Sequence, residues 1–517
     1  MKPKIFLPAL IAFLIFYFSG FGSIHISKPK VINYKSIHLR VYYDRTKSDD
    51  TLTLVYYANL LSRDPQPGYD NAIQISAGRQ KDGGFDFNFT PTAELGYIYV
   101  TKNFKKNDKN KLYGNKLIGQ LIEAGDDVNF CIKFRQKNLG TPLVYPSNLD
   151  YVFSGINAKK YQVINKLDSI PIHLTNNSSR IFNSKQEYNS EAYFESEIRN
   201  QLDYLQKNRN LLGDKMVDLL SANVCYGSQR WAKYVCIKNY LRDSIPIKDT
   251  VAINSFREHY FLMSGKDEYP INEDVLYHSN YYAYSEVYKF AVDDFVAYGS
   301  IDYNRIFTRI IDTYKGVLRD KLITAFISQY GSRNDKFNDT MTKAFKIVTD
   351  PYCLEILNKL KSRMNGNLAF NFHLQNKDGD TVSLSNFKGK LVFVDFWYTG
   401  CGNCAGYFKT QVSKAEAYFK DDKNIVFITI SIDKDRGEWT KSVESGVYTS
   451  GDAINLFTNG MGSRHPVIQH FGVISYPNPL LVGRDGKVIT FGFDKLRDEK
   501  NQTLLIETLK RAEANTL

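Results

Sequence analysis

The stretch from Lys390 to Cys404, KLVFVDFWYTGCGNC, restricts this chain more than any other. Its apolar and β-branched run reads as a buried strand. The strand leads into two cysteines separated by two residues, and a helical pattern follows. Cysteines at that spacing and in that context read as a redox-active pair. With Cys401 just before the helix and Cys404 one turn inside it, the two thiols differ. Cys401 faces the free N–H groups and positive dipole end of the helix, which favour its thiolate, so it is the expected nucleophile. Cys404 is the expected resolving thiol, which closes the redox-active disulfide. Cys401 is expected to be exposed and Cys404 more buried. Asp395 is an acid inside the apolar strand, on the face it shares with Phe393 and Trp397. A buried carboxyl there has a raised pKa and is placed to relay a proton to or from Cys404. The plainer alternative is a structural aspartate with satisfied hydrogen bonds.

The N-terminus bears on where such chemistry happens. Lys2 and Lys4 precede an uncharged run from Ile5 to Phe18, and Ser19, Gly20, Phe21, Gly22 and Ser23 follow. A basic start, an apolar run and a small-residue exit form the pattern of a secretory signal over residues 1–23. The run falls short of the ~20 residues that span a bilayer comfortably. Cleavage is the expectation and a retained anchor the alternative. The mature chain is thus expected to be exported, periplasmic or membrane-anchored facing the periplasm, where disulfides persist.

At 517 residues the chain is long enough for several domains. Residues 24–185 read as a β-rich domain. Phe85, Phe87 and Phe89 alternate with polar residues, as do Val128, Phe130, Ile132 and Phe134. Turn signals at Asp64–Gly68, Asp82–Gly84 and Pro146–Asn148 fit an antiparallel sheet or sandwich, and the β signals run on to about Leu174. Residues 186–365 read as an α-helical segment, with Phe194, Ile198, Leu202 and Leu205 at helical spacing. Asp214 and Asp350-Pro351 look like helix starts. Tyr281, Tyr282, Tyr284 and Tyr288 read as core packing. Cys225 and Cys236 would lie ~16 Å apart on one straight helix, so they pair only if Tyr226–Ser228 turns the chain. Cys353 falls in a first helical turn and reads as a buried thiol. The net charge of +12 has one dense patch, at Lys102, Lys105, Lys106, Lys109 and Lys111. Interleaved Asn and Asp make that patch a solvated loop, and no nucleic-acid partner is expected.

From residue 366 to 517 strands and helices alternate. A hairpin around Asp378-Gly379 precedes the strand Leu391–Trp397, a helix from about Cys404 to Phe419 and the strand Ile425–Ile432. A helix near Glu438–Glu444 comes next, then an insertion through Gly462. A short helix near Pro466–Phe471, two more strands and a closing helix end the chain. Tyr476-Pro477 lies just before one of those strands, and a cis bond there would offer backbone groups to an extended substrate.

Several pieces in order resemble one family: Phe372-His-Leu374, Asp378-Gly379, the LSNFKGK run from Leu384 to Lys390, Val394–Trp397, Cys401-x-x-Cys404, Tyr476-Pro477 and Asp485-Gly486. Residues 366–517 are identified by them as similar to the thioredoxin fold and, within it, to the exported TlpA/ResA-like thiol-disulfide oxidoreductases. The resemblance implies a sheet of four to five strands flanked by helices. It implies Cys401 as nucleophile, Cys404 as resolving thiol, Asp395 as buried acid and Pro477 as a cis-proline, and Asp433 lies near where such proteins often carry an acidic residue by the active site. Trp397, Tyr476 and Pro477 are the residues expected to meet the substrate. Gly402-Asn403 departs from the family's commoner dipeptides, Tyr398-Thr-Gly400 replaces a common Trp, and the active-site helix has no proline to kink it. The expected function is reduction of protein disulfides through a mixed disulfide, with no cofactor. The expected partners are a disulfide-bearing protein and an upstream thiol electron donor, with a membrane-bound donor as one option. Three rivals remain. A peroxidase would carry Thr or Ser three residues before its cysteine, whereas Thr399 is two before. A copper-handling site would need His465 or His470 beside the thiolates. The first two segments, finally, could form a binding module with a redox appendage.

Overall fold

The computed structural model describes residues 33–62, 72–102, 116–134, 149–169, 194–244, 250–264, 270–331, 337–362, 364–473, 475–492, 495–498 and 501–515. The signal-like segment, Asp64–Gly68, Pro146–Asn148 and all of the lysine patch except Lys102 lie outside them. The chain is multidomain: a β-rich part, a helical part and a C-terminal α/β domain.

Among the described residues, eight strands build the β-rich part: β1 (Ile37–Tyr43), β2 (Thr51–Tyr57), β3 (Ile73–Gly78), β4 (Gly84–Phe89), β5 (Leu95–Lys102), β6 (Lys116–Glu123), β7 (Asp127–Phe134) and β8 (Leu149–Ser154). They form two four-stranded sheets, ordered β4-β1-β7-β8 and β3-β2-β5-β6. All pairs are antiparallel except β1–β7, which is parallel. The alternating residues Phe85, Phe87, Val128, Phe130 and Ile132 point into one core shared by both sheets. Cys131 sits on the opposite face, half-buried with a free thiol. The β reading ran too far, because Ala158–Ser169 is a helix, α1. Tyr161, Ile164 and Leu167 recur every third residue and pack that helix on the sandwich.

The helical part comprises α2 (Phe194–Lys207), α3 (Arg209–Leu212), α4 (Asp214–Cys225), α5 (Ser228–Ser244), α6 (Thr250–Ser264), α7 (Glu273–His278), α8 (Tyr282–Tyr298), α9 (Tyr303–Thr313), α10 (Gly316–Tyr330), α11 (Phe337–Ile347) and α12 (Pro351–Lys361). Leu205, Met216 and Val217 join the sandwich core, so the first helices belong to both parts. Lys321 of α10 ties them further. Its buried ammonium donates to Asn59 Oδ1 at 2.9 Å, to Ser279 O at 3.1 Å and to Tyr277 O. Asp214 is not a cap: Gly213 holds the N-cap position of α4 with no side-chain bond. Asp350 does cap α12, accepting the Cys353 N–H at 2.9 Å, with Pro351 in the first turn. Cys225 is a buried free thiol, and burial pushes its pKa up to about 12; the Cys236 side chain lies outside the described residues. Among the described residues no helix is long and apolar enough to cross a membrane.

The C-terminal domain carries β9 (His373–Gln375), β10 (Thr381–Ser383), β11 (Leu391–Trp397), β12 (Ile425–Ser431), β13 (Ile454–Phe457), β14 (Asn478–Val482) and β15 (Val488–Phe491). One seven-stranded sheet results, ordered β10-β9-β13-β12-β11-β14-β15, against the four to five strands expected. The extra members are the entry hairpin and β13, which lies inside the supposed insertion and pairs in parallel with β12. Helices cover both faces: α13 (Gly402–Tyr407), α14 (Ser413–Tyr418), α15 (Arg436–Glu444), α16 (Pro466–Phe471) and α17 (Leu504–Glu513). Strand β11 is central and buried throughout. That placement explains its unbroken apolar run, since both faces are covered.

Candidate active site

The functional groups gather where β11 ends and α13 begins. Cys401 is the N-cap of α13, and its sulfur accepts the Cys404 N–H at 3.1 Å. Cys401 and Cys404 are joined by a disulfide with Cα atoms 5.2 Å apart. The Tyr476–Pro477 peptide bond is cis, and the Tyr476 carbonyl oxygen lies 3.7 Å from Cys401 Sγ. Cys401 is only 4% exposed, against the expectation of an exposed sulfur, and Cys404 is fully buried. Aromatic packing explains the difference. Trp397, Trp439 and Phe457 enclose the pair with Tyr448 and Tyr476, and the exposed Tyr398 stands edge-on to Tyr476 at 5.5 Å. Trp397 is 0% exposed. It packs in one cluster with Cys401 and Cys404. Tyr476 is half-buried, and burial pushes its hydroxyl pKa up.

Asp395 lies in β11 between Thr429 of β12 and Pro479 of β14. Desolvation pushes its pKa up to about 8, with backbone hydrogen bonding at Asn478 and Phe396 and the charge of Arg497 pulling the other way. Its Oδ1 is buried without a hydrogen-bond partner. That is the environment of a carboxyl able to hold or release a proton near neutral pH. A second acid, Glu416 of α14, is pushed up to about 7 by burial and adds to the shift at Asp395.

The short loop ahead of Cys401 is held from outside. Asp433 accepts the Thr399 N–H at 2.9 Å and the Thr399 hydroxyl at 2.7 Å. The same hydroxyl meets Ser442 Oγ at 2.7 Å, and Tyr448 Oη accepts the Gly400 N–H at 2.9 Å. Asp433 is therefore part of the loop's scaffold. Gly400 has φ +93° and open space around a would-be Cβ, so conformation rather than room demands glycine there.

Sequence reasoning missed the break in the active-site helix. Between α13 and α14 the chain continues helical but passes through a π segment, Phe408–Val412. Such a bulge bends a helix where no proline is present. The legible hint is a pair of hydroxyls bonding back four residues, Thr410 to Gly406 O at 2.8 Å and Ser413 to Lys409 O at 3.3 Å. Ser442, Tyr448 and Glu416 carry no motif, and Thr399 entered only in the comparison with a peroxidase and as part of the Tyr398–Gly400 departure. The two histidines weighed for copper serve other ends: His465 caps α16 by accepting the Val467 N–H at 3.3 Å, and His470 packs against Phe370 at 4.9 Å.

Residues 364–502 match the Redoxin family. The thiol-disulfide oxidoreductase ResA of Bacillus thuringiensis subsp. konkukian is 30% identical over 155 residues, which are 28% of this chain and 77% of that protein. ResA of Bacillus subtilis is 27% identical over 129 residues, 25% of this chain and 67% of that protein. The crystal structure of the thioredoxin domain of a thiol-disulfide oxidoreductase from Bacteroides vulgatus aligns at 26% identity. It covers 29% of this chain and 96% of its own, with a TM-score of 0.25.

Proposed function

The chain belongs, through its last domain, to the ResA-like thiol-disulfide oxidoreductases, and from that premise we propose that it is exported and reduces disulfides in protein substrates. The observation that carries the reading is the Cys404 N–H on Cys401 Sγ at the start of a helix. In the reduced state the same donor stabilises a thiolate on Cys401.

That thiolate attacks one sulfur of the substrate disulfide. The substrate S–S bond breaks, and its electron pair leaves on the other sulfur, which takes a proton. Cys404 then gives its proton to ionised Asp395 and attacks Cys401 Sγ. The mixed disulfide breaks and the second substrate sulfur departs, taking up a proton in turn. The substrate gains two electrons from Cys401 and Cys404 and takes its two protons from water; the Cys401 proton went to water when the thiolate formed, and the Cys404 proton passes to water from Asp395. An extended substrate segment lies along Tyr476-Pro477, beside the sulfur. Recharging needs an upstream thiol donor, and for an exported protein a membrane-bound one is the natural supplier.

Cys404→Ser tests this directly. It should accumulate a mixed disulfide through Cys401 that dithiothreitol releases. The idea fails if no adduct forms, or if the adduct persists when Cys401 is also replaced. A measured reduction potential near about −270 mV supports reduction, and one near about −120 mV supports oxidation instead.

A further inference from the structure

Resting on Cys401 as the attacking sulfur, we propose that Tyr448 is a positioning residue for it. Tyr448 comes from the segment between α15 and β13, far from the dithiol in sequence. It makes two contacts, one on each side of the loop 398–400. Its hydroxyl accepts the Gly400 N–H at 2.9 Å. Its ring stacks on Trp397 at 5.1 Å and 11°, and Trp397 is the last residue of β11. The phenol therefore spans from the rigid end of the central strand to the residue just before Cys401.

The loop needs such a tie. Gly400 is exposed and has a backbone conformation that glycine adopts freely, with open space where a Cβ would stand. Untethered, that residue is the loosest joint in the loop. Thr399 is anchored through Asp433 and Ser442, but those bonds stop one residue short of Gly400. The Cys401 N–H closes the turn on Tyr398 O at 3.2 Å, and the Tyr448 hydroxyl is the side-chain hold on the peptide between them. Where Cys401 sits decides whether its sulfur meets the Cys404 N–H at 3.1 Å and lies beside Tyr476 O at 3.7 Å. Losing the hydroxyl lets Gly400 turn its N–H to water, so the fold survives. The thiolate then spends less time aligned with its donor, and the Cys401 pKa rises.

The test uses the full chain, reduced, with Cys401 alkylation by iodoacetamide followed from pH 5 to 10 by peptide mass spectrometry. Tyr448→Phe keeps the ring and removes only the acceptor. Its profile should shift to higher pH, with the rate at pH 7 falling about three- to five-fold, the size expected for one lost hydrogen bond. Tyr448→Leu, which also loses the stack, should shift further. A thermal midpoint that falls in either variant while the pH profile overlays the parent marks a purely structural residue and overturns the proposal. If Cys401 in the parent protein is no more reactive than a free thiol, the nucleophile assignment falls and takes this proposal with it. That outcome is visible before any variant is compared.

Discussion

Cys353 and Cys401 both stand in the opening turn of a helix, at the starts of α12 and α13. The helix dipole alone would favour a thiolate at each. At α12 the cap is Asp350, whose carboxylate takes the Cys353 N–H. The thiol is fully buried beside that negative charge, and burial first, then Asp350, pushes its pKa well up. At α13 the sulfur is itself the cap and takes the N–H directly. The two helix starts differ in whether the thiol or a carboxylate occupies the donors. The first arrangement stabilises a bundle; the second is the one that the proposed mechanism uses for its nucleophile.

The largest effect separates the two cysteines outright. Cys401→Ser should lower reduction of a model disulfide by at least about a thousand-fold, since no second nucleophile replaces it. Cys353→Ser should leave the rate within about two-fold. A comparable loss in both would break the contrast.

Next in size is Asp395→Asn, read by denaturant unfolding across pH. Folded Asp395 binds its proton with a pKa of about 8, whereas an unfolded aspartate sits near ~3.9. Folding therefore takes up a proton between those values. The native state is favoured fully below about pH 4 and progressively less up to about pH 8. The variant should lack this slope and gain a few kcal/mol over the parent at pH 8, with little difference at pH 4. It should also slow the resolving step. An unchanged slope would mean the carboxyl is not the desolvated group it looks to be.

The smallest effect probes the other helix. Asp350→Ala should cost about 1–2 kcal/mol of stability as a lost cap. Cys353 should stay resistant to alkylation in the native state, because burial is the larger cause of its raised pKa. If removing Asp350 alone made Cys353 reactive, the charge and not the burial would be the deciding term.

Much of this contrast was readable in one dimension. The dithiol, its strand, the acid within it and Tyr476-Pro477 carry local signals of spacing and residue type. The Asp350-Pro351 start was equally plain, since a cap acts on its own turn. Other features were not. β13 is four residues long and hid in a supposed insertion, because a short parallel strand is recognised by its neighbour β12 rather than by its own pattern. Helix α1 was swallowed by the surrounding β signals. The π segment replaced the missing proline by backbone geometry that no single residue encodes.

The sequence by itself determined the chemistry: two sulfurs at a fixed spacing between a strand and a helix, with an acid six residues ahead. Those relations hold within a few turns of chain, so local geometry decides them. Only the tertiary structure decided how that chemistry is held and shielded. Tyr448 reaches Gly400 from 48 residues away and Asp433 reaches Thr399 from 34, while aromatic rings from three separate elements close over Cys401. Such contacts depend on which segments the sheet order brings side by side. The physical reason is that desolvation and long-range hydrogen bonds are properties of packed neighbours, and a sequence fixes its neighbours only once it has folded.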